Sequence, residues 1–81
     1  MENMIILKIY PGIKYALVAR IDPATQRATE YIAAYMPVFN GNNISHWSHG
    51  HYFDSDLYAA MRYIVDKMVE EALDVDEREY L

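Results

Sequence analysis

Three histidines, His46, His49 and His51, cluster beside the acids Asp54 and Asp56 and the single tryptophan, Trp47. In an extended segment side chains alternate, so Trp47, His49, His51 and Phe53 are expected on one face. Two imidazoles at i and i+2, joined by a carboxylate from Asp54 or Asp56, can hold a metal ion. His49 and His51 are therefore weak candidate metal ligands, and either imidazole beside Asp54 has the titration range of a general base. Against a metal-assisted enzyme, no second ligand pair stands at a fixed spacing. Nor is there a serine or cysteine in a nucleophile setting, or a glycine-rich phosphate loop, with three glycines in all. The expectation is a non-enzymatic chain with no cofactor, in which Trp47 and Phe53 anchor the lead-in to a helix and the histidines stay partly exposed.

A second set of residues could do recognition rather than catalysis. Asp66, Glu70 and Asp74 recur every four residues, spaced about 6 Å apart along a helix axis. Such a row can imitate the charges of a nucleic-acid strand, whereas most acidic helix faces are simply solvated. Asp76 and Glu77 continue the charge. Eight tyrosines exceed what a small core hides, and an exposed tyrosine such as Tyr63 would add contact area to a binding surface.

The elements that must position these residues follow from periodicity. "MIILKIY" (4–10) reads as a strand with Ile5, Leu7 and Ile9 on one face. Pro11-Gly12 reads as a turn with positive φ at the glycine, and "KYALVARI" (14–21) as the second strand of a hairpin. "DPATQRATEYIAAYMP" (22–37) is open between a helix capped by Asp22-Pro23 and a strand with Thr29, Tyr31, Ala33 and Tyr35 on one face; the hairpin is favoured. "NGNN" (40–43) is a loop, and Ile44 to Phe53 is either a short fourth strand or an ordered loop.

Asp54 or Ser55 should then cap a long helix. Its apolar stripe is expected to be Leu57, Met61, Ile64, Val65 and Met68, bordered by Ala60, Val69 and Ala72. The predicted fold class is α+β: an antiparallel sheet of three or four strands with one long C-terminal helix packed on one face. A single domain should span 1–81, with 75–81 at its fraying end.

Composition bounds the rest. Eighty-one residues without cysteine make one small domain that no disulfide staples, and dimerisation is a ready way for it to bury more surface. No apolar run approaches a membrane span, and the start lacks the features of a secretory signal, so a cytoplasmic protein with no membrane partner is expected. The net charge of −5 is uneven. Residues 1–53 carry three acids and four bases, residues 54–81 nine acids and three bases. That sign disfavours direct nucleic-acid binding and favours a partner with a basic surface.

In size, lack of cysteine, acidic helix and order of elements, from "MIILKIYPGIKYALVARID" through "SDLYAAMRYIVDKMVEEALD", the chain resembles the small anti-CRISPR inhibitors encoded by phages. The resemblance covers the whole chain in layout and carries no diagnostic motif, so it transfers no functional residue. It implies stoichiometric binding to a host RNA-guided complex or nuclease inside the bacterial cell. The DNA site would be blocked, or a conformational step prevented, through an acidic, tyrosine-bearing surface of Asp66, Glu70, Asp74, Asp76, Glu77 and Tyr63. A small homodimeric assembly module and a histidine metal site are the alternatives.

Overall fold

A computed structural model describes residues 3–80, with side chains described through Leu73. Strands β1 (Asn3–Tyr10), β2 (Tyr15–Asp22), β3 (Arg27–Tyr35) and β6 (His49–Tyr52) form one antiparallel sheet in the order β1-β2-β3-β6. Between β3 and β6 the chain makes a separate hairpin of β4 (Val38–Asn40) and β5 (Asn43–His46), and it ends in α1 (Leu57–Tyr80). The helix covers one face of the sheet and the small hairpin lies over the other. The fold is α+β.

Strands form where β-branched and aromatic residues alternate, and the turns are set by local chemistry. Asp22 accepts from the Ala24 amide through its carboxylate, as a helix cap would. Gln26 then adopts a left-handed φ of 62°, donates its amide to the Asp22 carbonyl and returns the chain into β3. The residues that resemble a helix start thus build the hairpin turn. At the β1–β2 corner, Pro11 opens a single 3-10 turn, Pro11–Ile13, and the left-handed residue is Lys14 rather than Gly12. The expected loop at 40–43 is the β4–β5 turn, where Gly41 takes the positive φ of 63°.

The segment 44–53 contains two strands instead of one, and β6 is the sheet's fourth strand. Two further expectations are corrected. A β-bulge between Ile6 and Lys8 breaks the alternation of β1. Ile5, opposite Ala19, lies on the helix side, while Ile9, opposite Ala16, lies on the hairpin side, because one inserted residue flips every later side chain. The helix cap is Asp56, whose carboxylate accepts the Ala59 amide at 3.0 Å. Asp54 instead takes a left-handed φ of 46° and gives its carbonyl to the Tyr31 amide.

Two cores sandwich the sheet. On the helix side Tyr15, Leu17 and Ala33 meet Ala60 and Ile64, with Tyr31, Tyr35, Phe53 and Tyr63 around them. On the other side Ala16, Val18, Ile32 and Ala34 meet Ile44, with Met4, Ile6 and Trp47 at the margin. Alanines at the sheet centre, four of them fully or almost fully buried, let both layers approach closely. No helix among the described residues is long and apolar enough to cross a membrane.

Ile64 is the largest fully buried side chain of the helix, 1% exposed, so Ile64→Ala should lower unfolding free energy by about 2–4 kcal/mol. Urea denaturation followed by circular dichroism would measure the change.

Candidate interaction surface on the helix

The helix touches the sheet with a narrow edge. Ala60 and Ile64 are buried, while Ala59, Tyr63 and Lys67 are half-buried. At 100° per residue these positions cover one side of the cylinder. The expected stripe is only partly buried. Leu57, Met61, Val65, Met68, Val69 and Leu73 are between 36% and 56% exposed, and Tyr58 is 74% exposed. Of the five residues expected to face the sheet, Ile64 alone does so fully. The sequence pattern is a band too wide for one contact, and its centre of burial is displaced toward Ala60.

The acidic row lies elsewhere on the cylinder. Asp66 and Glu70 are both solvent-exposed. Asp66 is bridged by Arg62 at 3.6 Å and Glu70 by Lys67 at 3.3 Å. Exposed pairs of this kind are weak, about 0.3–0.5 kcal/mol, so a partner's arginine can displace them. The helix backbone continues through Asp74, Asp76 and Glu77, whose side chains lie outside the described residues. Tyr63, expected as an exposed contact, is packed between helix and sheet instead, and among the described side chains of the helix Tyr58 is the exposed tyrosine.

Tyr63 belongs to an aromatic cluster that absorbs much of the chemistry-bearing sequence. Its ring lies 4.3 Å from His51, 5.6 Å from Phe53 and 5.9 Å from Tyr15, centroid to centroid. The Lys67 ammonium sits over it at 5.4 Å. His49 stacks on Tyr35 at 6.3 Å. His49 and His51 do share a face, as alternation requires, because they pair with Tyr35 and Ala33. Phe53 packs with the helix-side core too, but Trp47 packs on the opposite, hairpin side, since two residues of irregular chain separate β5 from β6. His46 bonds to Ser45. Among the described residues no three potential ligands converge on a metal position.

Trp47 also explains Gly50. Its indole Nε1 donates to the Tyr52 hydroxyl at 3.3 Å across the glycine, and a Cβ on Gly50 would stand 2.6 Å from that nitrogen. The glycine is there for the close approach of the Trp47 and Tyr52 side chains.

Two shallow clefts lie beside the β1–β2 corner, both touching Lys14 and Tyr15. One, about 350 Å³, is lined by residues including Lys14, Tyr15, Tyr35, Lys67, Glu70 and Glu71. The other, about 340 Å³, is apolar and lies between the 3-10 turn and β4, lined by residues including Ile9, Pro11, Met36 and Phe39. In the first, burial pushes the Tyr15 hydroxyl up to about 12, helped by its 3.3 Å hydrogen bond with Tyr63. It is a neutral hydroxyl at physiological pH, a donor or acceptor and not a base.

Comparison of the chain with protein-family models, with curated proteins and with solved structures finds no match.

Two outcomes test this geometry. Gly50→Ala should cost about 1–3 kcal/mol of stability through the Trp47 clash, read as a drop in Tm. Because the folded pKa of Tyr15 is raised, its contribution is fully present below pH 10 and is lost as pH rises toward 12. Tyr15→Phe should therefore flatten the fall of denaturation midpoint over that alkaline range.

Proposed function

We propose that this protein is a non-catalytic binding protein that acts as an inhibitor, in the manner of anti-CRISPR proteins. It presents the acidic side of α1 to a basic surface on a larger host complex that handles nucleic acid. The single observation that carries the reading is the unbroken helix. It extends from Leu57 to Tyr80, through the segment that holds most of the chain's acids, so the carboxylate row is carried by one continuous helix.

Two physical features support the choice. Asp66 and Glu70 are more than half exposed at the side chain, and their intrahelical partners neutralise them only weakly. The acids are also confined to one end of the chain, while residues 1–53 are slightly basic. That asymmetry steers a basic partner to the helix and not to the sheet. Charge-assisted bonds from arginine then give orientation. Binding there excludes nucleic acid from the same basic groove, which is how a chain without an active site inhibits an enzyme.

Affinity capture from bacterial lysate at low and moderate salt tests the reading. The intact protein should retain a nucleic-acid-handling complex. The Asp66→Asn, Glu70→Gln, Asp74→Asn variant should retain at least about tenfold less, since three charge-assisted contacts are lost. Equal capture by both proteins, unaffected by salt, would sink the proposal.

A further inference from the structure

The helix has a second surface that the acidic row does not use. Tyr58, Met61, Val65, Met68, Ala72 and Val75 recur at alternating steps of three and four. This is the a and d spacing of a coiled coil. The first five are exposed, because the sheet takes Ala60, Ile64 and Tyr63 on another side of the helix. A heptad seam that points away from its own core is a surface built for another helix.

We propose that the occupant is the α1 helix of a second copy, packed antiparallel along this seam about a two-fold axis. In that register Val65 meets the partner copy's Met68 and Met61 meets the partner copy's Ala72. Each layer puts a larger residue against a smaller one.

Charge selects the direction. A parallel pair would align the acid-rich stretch 70–79 of one copy with the same stretch of the other, like charge against like charge. Antiparallel packing brings the acid-rich C-terminal half alongside the half that carries Arg62 and Lys67.

Area is adequate. Leu57, Tyr58, Met61, Val65, Met68, Val69 and Ala72 are all exposed. At about 80 Å² each, the scale of a partly buried apolar side chain, they contribute on the order of 550 Å² per protomer. The total approaches the roughly 1,200 Å² at which specific interfaces begin, which fits a reversible dimer. The acids Asp66, Glu70 and Asp74 take positions outside the seam, so this inference stands or falls separately from the proposed function.

Sedimentation velocity across a range of micromolar concentrations should show the mass of the intact protein doubling. Val65→Glu should stay monomeric with an unchanged far-ultraviolet circular dichroism spectrum, its dimer dissociation constant raised at least about a hundredfold by a carboxylate buried in the seam. Orientation is read by disulfide trapping, since the chain has no cysteine of its own. An equimolar mixture of Met61→Cys and Ala72→Cys should cross-link as a heterodimer, and Met61→Cys alone should not. A monomer at every concentration, a Val65→Glu variant that still dimerises, or self-cross-linking by Met61→Cys would each overturn the proposal.

Discussion

The structure depends on how closely α1 can approach the sheet. The two central strands present Leu17 and Ala33 to the helix, and the helix answers with Ala60 and Ile64. One alanine on each side, Ala33 and Ala60, lets the backbones come together around Leu17 and Ile64, and close approach narrows the footprint. Long side chains at those positions would have lifted the helix and let a wider band of it reach the sheet. Here the contact is one edge, and the remaining apolar residues of the helix are left facing outward. The same logic holds beneath β4 and β5, where Ala16 and Ala34 floor the second core.

That constraint also separates what was legible in the sequence from what was not. Strands 3–10 and 15–22 are readable from their apolar, β-branched runs and the Pro11-Gly12 turn between them, 27–35 only in part because Asp22-Pro23 also reads as a helix start, and the helix is readable from its 3.6-residue period. The rotation of the helix is not, because its apolar band spans about half the cylinder and periodicity alone cannot say which part meets the sheet. Leu57, Met61, Val65 and Met68 were natural choices by hydrophobicity. Ala60 won because its size matched the floor. A stronger reading was available in the steps of three and four from Tyr58 to Val75, a spacing more regular than docking on a sheet requires.

The bulge at Leu7 and the cap at Asp56 were illegible for a different reason. Each depends on a choice between near-equivalent residues that only the surrounding pairing resolves. Asp54 is as good a capping residue as Asp56, but its carbonyl is committed to Tyr31, which holds it in the last rung of the sheet. The bulge separates Ile5 from Ile9 and twists an edge strand whose Ile5, Leu7 and Ile9 remain about half exposed. An edge so distorted is a poor template for another strand, and this leaves the helix as the better-formed surface for association.

Two of the three histidines and three of the tyrosines take part in packing the helix onto the sheet. Tyr15, Tyr35, Tyr63, His49 and His51 form one aromatic cluster, in which rings stack on rings and hydroxyls bond to each other. The cluster fixes the rotation of α1 about its own axis, because Tyr63 is locked between His51 and Tyr15. Rotation in turn decides which side of the helix is free. With Tyr63 turned inward, Met61 and Val65, each two residues away and so about 200° round the cylinder, must turn outward. The acids at 66 and 70 are thereby held clear of the apolar seam. A helix that packed by hydrophobicity alone would have hidden these residues; with Tyr63 held against His51 and Tyr15, Met61 and Val65 stay about half exposed.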